Sequence, residues 1–276
     1  MIPFSFSYLQ PKNLEEAAQA YQEFAVQGKK ALYFGGGTEI ITMGRVNSLH
    51  FDAVIDLKNI PDMHGFGTED GCMTLGAAET LNSICRWNGL PLLSQCCARI
   101  ADHTAQCKIT LGGNVAGTVI YHEAALPLLL AGATAVLNGP GGMREAPIRD
   151  LFQPELYLGP GEFIVRFLVE EQYARLPFVH AKHTTGEKIG YPLFTLAAIQ
   201  KDECIAAAVS GLYRYPVWLE FPNSQEQLTE ESLAVLFSQK YLDDPLCDIF
   251  ASGEYRLFML ADALNNAFTR LGGEAA

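Results

Sequence analysis

Two short glycine runs in the first half of the chain constrain its fold more than any other feature. The first occupies residues 35–37 and precedes Thr38, and the second occupies residues 112–113, shortly after Thr110. Glycine lacks a Cβ atom and adopts positive φ, so successive N–H groups can point at one anion. One such loop usually means a turn, but two beside threonine favour a ligand that carries two phosphates. We expect neither run to lie inside a regular helix.

The spacing of these glycines excludes the two most familiar nucleotide-binding motifs. Neither run fits the dinucleotide fingerprint G-x-G-x-x-G, and no lysine follows as in the P-loop G-x-x-x-x-G-K-S/T. A Rossmann domain and a P-loop NTPase are therefore not predicted.

Charge and hydropathy exclude two classes of partner. The chain has 19 basic and 31 acidic residues and a net charge of −12, which repels the phosphate backbone of nucleic acid. The longest apolar stretch, residues 124–137, is too short to span a bilayer and contains Pro127. The first residues lack the basic start and apolar run of a signal peptide. We therefore expect a cytoplasmic protein with no nucleic-acid partner and no membrane partner.

Local patterns predict a small α/β unit at the start of the chain. Asn13 and Glu16 form a capping-box pattern, the helical apolar spacing that follows continues to Phe24, and Gly28 is placed to end the helix. Short apolar runs at residues 31–34 and 53–57 predict strands, and the first of them leads directly into the first glycine run. The first 57 residues thus place a glycine loop at the end of a strand.

Further elements are predicted along the rest of the chain. We expect strands at residues 73–77, 134–138 and 163–169, and helices at residues 81–87, 92–105 and 123–131. Residues 193–200 and 204–211 flank a polar turn and predict a hairpin. A last amphipathic helix is predicted over residues 257–271, ended by Gly272. A charged stretch at residues 170–176 predicts a domain boundary.

The sequence predicts no metal site. Its seven cysteines are scattered, with no C-x-x-C pair, whereas iron–sulfur clusters and structural zinc need clustered thiolates. His180 and His183 lack a carboxylate at a ligand spacing, and Leu126 breaks the H-E-x-x-H pattern that His122 and Glu123 begin.

The glycine runs, read with their flanking residues, resemble one family. FGGGTEI at residues 34–40 and TLGGN at residues 110–114 are similar to the FAD-binding subunit of molybdenum hydroxylases, the flavin component of xanthine dehydrogenases and carbon monoxide dehydrogenases. Similar stretches follow the same order: DLKNIPDM, LGAAETLNSI, REAPIRDLF, PGEFIVRF and HAKHTTGEKIGYPLFTLAA. The resemblance covers nearly the whole chain.

The resemblance implies an α+β fold with two domains. Residues 1–172 would form an FAD-binding domain made of a small α/β unit (about 1–57) and a larger mixed-sheet unit (58–172). Residues 173–276 would form a C-terminal α+β domain with a small antiparallel sheet and helices.

The resemblance also implies which residues bind FAD. The two glycine loops would hold the pyrophosphate and its surroundings through Phe34, Gly35, Gly36, Gly37, Thr38, Glu39, Ile40, Thr110, Gly112, Gly113 and Asn114. Glu39 is placed like an acid that contacts the cofactor; the alternative is a solvated loop carboxylate.

Three further positions match cofactor-contacting residues of the family. Glu123 stands where the family has an aspartate that faces sugar or ribityl hydroxyls. Lys182 matches a lysine near the flavin ring, although an ordinary surface lysine is the alternative. Ile164 matches an aliphatic residue that covers the isoalloxazine, although an ordinary core residue is the alternative.

The chain departs from the family at several positions beside the second glycine loop. Gln106 and Cys107 replace a usual Arg-Asn pair, Val119 and Ile120 replace Ser-Pro, and Glu123 is one methylene longer than the aspartate. These departures bear on the strength of FAD binding.

The implied function is electron transfer with FAD as cofactor. A separate [2Fe-2S] small subunit would deliver electrons from a molybdopterin-binding large subunit, and the flavin would pass them to NAD⁺ or another acceptor. No residue of this chain is predicted to be catalytic by itself. Two other readings stay open: a free-standing flavin oxidase or reductase, and a partner-binding subunit that has lost FAD.

Overall fold

The computed structural model describes residues 1–152, 156–186 and 190–272. It contains a three-stranded, a five-stranded and a four-stranded sheet, with helices packed between and around them. The α+β fold is thus confirmed. The end of the predicted C-terminal domain, residues 273–276, lies outside the described residues, as do residues 187–189 of the last quoted motif.

The first unit is a parallel sheet that ends in the first glycine loop. It consists of β1 (Ser7–Leu9), α1 (Leu14–Val26), β2 (Ala31–Phe34), α2 (Thr38–Arg45) and β3 (Ala53–Asp56), with strand order β1-β3-β2. Asn13 caps α1 by accepting from the Glu16 N–H at 2.8 Å, as predicted. The Glu16 carboxylate accepts instead from the N–H of Lys12, one residue before the position that a capping box requires.

The second unit is built on a five-stranded sheet of order β4-β5-β8-β6-β7. Its strands are β4 (Phe66–Glu69), β5 (Cys72–Gly76), β6 (Thr134–Gly139), β7 (Gly142–Pro147) and β8 (Phe163–Glu170). All of its pairings are antiparallel, so the sheet is not mixed. Its helices are α3 (Leu81–Trp87), α4 (Pro91–Cys97), α5 (His103–Gln106), α6 (Leu111–Ala116), α7 (Ala125–Leu130) and α8 (Ile148–Leu151).

Two helix predictions in this unit were wrong in detail. The predicted helix at residues 92–105 is broken into α4 and α5, because Ala101 has a φ of +53° and Asp102 starts a new helix as its N-cap. The second glycine run lies inside the short helix α6, against our expectation. Thr110 caps that helix, and a Cβ on Gly112 would meet the Cβ of Ala77 at 2.8 Å, so close packing accounts for this glycine.

The third unit is an antiparallel sheet covered on both faces. It contains β9 (Phe178–Thr184), β10 (Pro192–Lys201), β11 (Cys204–Ser210) and β12 (Val217–Pro222) in the order β12-β11-β10-β9, together with α9 (Glu230–Lys240) and α10 (Gly253–Gly272). The β10–β11 hairpin and the last helix are confirmed. Phe194 and Leu196 pack in the cluster that includes α10, whereas Ala197 and Ile199 pack against α4 and α7.

Strand β10 is therefore buried on both sides, which explains its continuous apolar sequence. Thr195 points to the same side as Ala197, toward the second unit. Among the described residues, no helix is long and apolar enough to cross a membrane.

Candidate functional site

The first glycine loop lies at the carboxyl edge of the parallel sheet. Phe34 ends β2 opposite Asp56 of β3, and residues 35–37 then turn the chain into α2. Gly37 is the N-cap of α2 with a φ of +69°, and a Cβ there would lie 1.9 Å from the Phe34 ring. Glycine is therefore required at this position for both conformation and space.

This loop presents a series of free backbone donors. Within the described part of the chain, no group accepts from the N–H of Gly36, Gly37, Thr38, Glu39 or Ile40, and the first intrahelical bond runs from Ile41 N–H to Gly37 O at 2.9 Å. Free N–H groups at the start of a helix carry partial positive charge and favour an anion. The arrangement fits a phosphate or pyrophosphate group.

The two glycine loops contact each other directly. A Cβ on Gly35 would lie 2.7 Å from the Thr110 hydroxyl oxygen, and a Cβ on Gly36 would lie 1.8 Å from the Lys108 carbonyl oxygen. The structure thus brings both predicted loops to one place. It also explains why glycine stands at position 36 in a way that the sequence did not predict, since the missing Cβ makes room for the protein backbone.

The backbone N–H groups of the second loop donate to acceptors within the protein. The N–H of Gly112 bonds to Ala77 O at 2.9 Å and that of Asn114 to Thr110 O at 2.8 Å. The Thr110 hydroxyl accepts from Gly113 N–H at 3.1 Å. Whereas the sequence suggested two equivalent nests, only the first loop has a run of free N–H groups. Contact of Thr110, Gly112, Gly113 and Asn114 with a cofactor remains a prediction.

Glu39 connects the first loop to the segment after α6. Its carboxylate accepts from the N–H of Thr118 at 2.9 and 3.2 Å and from the Thr118 hydroxyl. A Cβ on Gly117 would lie 2.6 Å from the same carboxylate. The side chain is therefore a structural link rather than a freely solvated one.

Glu123 and Lys182 form a buried ion pair. Lys182 Nζ lies 3.0 Å from one Glu123 carboxylate oxygen, and the Thr195 hydroxyl donates to the other at 2.7 Å. Lys182 also donates to Arg99 O at 2.8 Å. The two side chains are only 2% (Lys182) and 6% (Glu123) exposed. Burial raises the pKa of Glu123, and the charge of Lys182 opposes that rise.

This pair links the second unit to the third. Glu123 precedes α7, while Lys182 and Thr195 belong to β9 and β10. Both carboxylate oxygens already have protein partners, so the structure places Glu123 in a bridge between units. Its contact with FAD hydroxyls, and that of Lys182 with the flavin, remain predictions.

Ile164 lies in the core. Its side chain is 4% exposed within the main apolar cluster, and its residue pairs with Leu137 across the sheet. In this position it offers almost no surface to a ligand, so its contact with a flavin also remains a prediction.

Sequence reasoning missed a polar group beside the first loop. Lys58 Nζ lies 2.7 Å from Asp56, 3.2 Å from Gly35 O and 4.4 Å from the centre of the Phe34 ring. The Tyr8 hydroxyl donates to the same aspartate, which is 1% exposed. These residues fix the carbonyl side of the loop. Only their positions in the fold could have signalled this, because Tyr8 lies in β1, Asp56 ends β3 and Lys58 follows β3.

Among the residues that the structure describes, no group of histidine, cysteine and acidic side chains could hold a metal ion. The imidazole of His180 is the most unusual titratable group near the bridge. Its Nε2 is buried without a partner, and burial, with the nearby charges of Arg99 and Lys182, lowers its pKa to about 4.

Comparisons with known proteins agree with this geometry. Residues 4–169 match the family described as "FAD binding domain in molybdopterin dehydrogenase". The chain is 24% identical over 230 residues to the carbon monoxide dehydrogenase medium chain of Afipia carboxidovorans, covering 80% of this chain and 79% of that one. It is 23% identical over 245 residues to the nicotinate dehydrogenase FAD-subunit of Eubacterium barkeri, covering 83% and 81%.

One solved structure illustrates the similarity of fold. A carbon monoxide dehydrogenase from Hydrogenophaga pseudoflava that lacks the Mo-pyranopterin moiety contains a chain that superposes with a TM-score of 0.86. That similarity covers 100% of both chains at 20% sequence identity.

Proposed function

The chain belongs to the family of FAD-binding domains of molybdopterin dehydrogenases, and from this premise we propose that it passes electrons from a [2Fe-2S] subunit, through its FAD, to NAD⁺ or another acceptor. It is the flavoprotein subunit of an oxidoreductase of the molybdenum hydroxylase type. The electrons would originate on a separate molybdopterin-binding large subunit. The names "medium chain" and "FAD-subunit" of its relatives support a place in a multi-subunit enzyme.

The free N–H groups of residues 36–40 are the observation that supports this function most directly. They match the needs of a pyrophosphate, which offers several acceptor oxygens and negative charge to one nest of donors. The chain as a whole carries a net charge of −12, so a local site of positive potential is needed to hold such an anion. We assign the pyrophosphate to this loop.

The other residues of the site hold the first loop in place. Lys58 holds the Gly35 carbonyl, and Thr110 packs against Gly35. Glu39 holds Thr118, which fixes the segment that leads to the Glu123–Lys182 bridge. When bound, FAD supplies chemistry that joins one-electron and two-electron transfer. The residues of this chain bind it, orient it and set the charge around it.

The proposal is tested by purifying the chain alone and together with its partners. We expect one FAD per chain after reconstitution, identified by chromatography of the released cofactor. We expect co-expression with a [2Fe-2S] subunit and a molybdopterin-binding subunit to give one complex on size-exclusion chromatography.

The other two readings predict different results. A free-standing flavin oxidase or reductase would turn over an organic substrate rapidly as an isolated chain. A partner-binding subunit that has lost FAD would join the complex without a flavin spectrum.

A further inference from the structure

One lysine outside the glycine runs holds both ends of the first run. Lys58 Nζ donates to the carbonyl oxygen of Gly35 at 3.2 Å. The same ammonium group lies 4.4 Å from the centre of the Phe34 ring, and a Cβ on Gly37 would lie 1.9 Å from that ring. Lys58 therefore contacts the start of the run directly and the end of the run through one aromatic ring.

A buried carboxylate fixes the side chain of Lys58. Its Nζ lies 2.7 and 2.8 Å from the two carboxylate oxygens of Asp56, and its backbone N–H donates to one of them at 3.0 Å. Asp56 is 1% exposed, and the Tyr8 hydroxyl donates to its other oxygen. Because Tyr8 belongs to β1 and Asp56 to β3, this carboxylate ties Lys58 to two strands of the first sheet.

The backbone carbonyl of Lys58 is held as well. It accepts from His64 Nε2 at 2.6 Å, and the other ring nitrogen of His64 lies 3.6 Å from the Glu79 carboxylate. The carbonyl of Glu79 in turn accepts from the N–H of Leu111, beside the second glycine run, at 2.8 Å. A side chain with this many fixed contacts is pre-organised, so it loses little entropy when a ligand binds beside it.

The first glycine run needs such an external support. Glycine has the most flexible backbone of any residue, and several N–H groups bind one anion well only when they converge on it. Within the described part of the chain, the N–H groups of residues 36–40 have no acceptor that would fix their direction. Lys58 holds the run from its carbonyl side and therefore leaves this N–H side open to a ligand.

The charge of Lys58 acts in the same direction. Its side chain is 39% exposed, whereas that of its partner Asp56 is buried. Without the lysine, a carboxylate with no cationic partner would lie beside a site that binds an anion, in a chain whose net charge is already −12. Loss of Lys58 would thus both free the glycine run and add negative charge next to the ligand.

We propose that Lys58 is the positioning residue of the pyrophosphate site, which it serves by fixing the first glycine run and by neutralising Asp56. The proposal rests on the FAD site proposed above and adds the residue that sets its affinity. The glycine pattern of the sequence did not single out this lysine.

The test measures binding of FAD and of ADP, which carries the diphosphate without the flavin, to full-length proteins. Lys58→Met removes the charge and the donors but keeps a long side chain, whereas Lys58→Arg keeps both. Lys201→Met is the matched control, because Lys201 Nζ donates to the Tyr173 hydroxyl at 2.9 Å and lies 4.7 Å from the centre of that ring in the same manner. The Tm of each variant is recorded, and binding is measured well below it.

We expect Lys58→Met to raise the Kd for FAD and the Kd for ADP by the same factor, about 10- to 150-fold. Lys58→Arg should recover most of this loss, and Lys201→Met should bind both ligands like the parent. Parental affinity in Lys58→Met would overturn the proposal, as would a loss that Lys58→Arg does not recover. A loss for FAD alone would also overturn it, because the diphosphate is common to both ligands.

A second variant keeps the test decisive if Lys58→Met does not fold. Tyr8→Phe removes one donor to Asp56 at a residue that is 56% exposed, so the fold is retained. We expect it to raise the Kd for FAD by about 2- to 13-fold. In that case, parental affinity in Tyr8→Phe would overturn the proposal.

These outcomes are distinct from failure of the proposed function. If the parent protein bound no FAD at all, both proposals would fall. If the parent bound FAD and Lys58→Met bound it equally well, only the role of Lys58 would fall.

Discussion

A Cβ atom on Gly36 would lie 1.8 Å from the carbonyl oxygen of Lys108. The two glycine loops are thus packed backbone to backbone. This packing requires glycine at position 36 whether or not a ligand is bound. Because the backbone N–H groups of Gly112, Gly113 and Asn114 already have acceptors within the protein, the closeness of the second loop to the first makes it a support for the anion site.

Substitution of Gly36 should therefore destabilise the protein. We expect Gly36→Ala to lower the free energy of unfolding by about 1–3 kcal/mol or more, because the added Cβ must push the loops apart. Gly67→Ala is the control, since a Cβ there meets no atom within 4 Å. Urea unfolding measures both. Equal stability of the two variants would contradict the packing described here.

Breaking the buried ion pair should be costly. Lys182→Met leaves the Glu123 carboxylate buried without its cation and should lower the free energy of unfolding by about 3–5 kcal/mol. The double variant Lys182→Met/Glu123→Gln should lose less free energy of unfolding, because no charge is left unpaired. The control is Arg175→Met, which removes an exposed pair with Glu171 and should cost at most about 1 kcal/mol. A double variant less stable than Lys182→Met would argue against the bridge.

His180 should make stability depend on pH. Burial lowers its pKa to about 4 from the usual 6.5 of a histidine, so the unfolded chain binds the proton more tightly than the folded protein. The stability that the neutral, buried His180 contributes is present above pH 6.5 and is lost as the pH falls toward 4. It should amount to about 2–3 kcal/mol.

The variant His180→Gln should flatten this part of the stability profile. The exposed His103 gives a matched control, His103→Gln, whose profile should follow that of the parent. Unfolding is followed by urea titration at several pH values. An unchanged slope in His180→Gln would show that another group causes the acid sensitivity.

The hydroxyl of Thr38 should contribute to FAD affinity. It begins α2 among the free N–H groups of the first loop. Removing a hydrogen bond of ordinary strength raises a Kd by about 2- to 13-fold, and we expect Thr38→Val to do so. Thr68→Val, at an exposed position of β4, should bind FAD like the parent. Calorimetric titration with FAD distinguishes the two variants.

The parts of the fold that the sequence predicted well depend on local patterns. The capped helix α1, the β10–β11 hairpin and the last helix each have their turn or cap residues within a few positions of the element. The break between α4 and α5 was missed because the apolar spacing continues through it. Only the positive φ of Ala101 reveals it.

The contacts that shape the site join residues far apart in the chain. Glu39 and Thr118 are 79 positions apart, and Glu123 and Lys182 are 59 apart. A single sequence gives no signal for such pairs, because periodicity reports only which face of an element is buried. The glycine runs pointed to the right region. Which loop keeps its donors free depends on the carbonyl groups of Ala77 and Glu79, which accept from the N–H groups of Gly112 and Leu111 and which only the fold brings near.

The covered face of β10 has a consequence during synthesis. Leu92, Leu126 and Leu130 pack against Ala197, Ile199 and Ala208 of the third unit. The ribosome adds about 5–20 residues per second, so roughly 3–23 s pass between synthesis of these leucines and synthesis of their partners. During that time the nascent chain displays an adhesive apolar surface. This surface is therefore where the fold is most vulnerable during synthesis. We expect chaperones to bind it and chains truncated before the third unit to refold slowly.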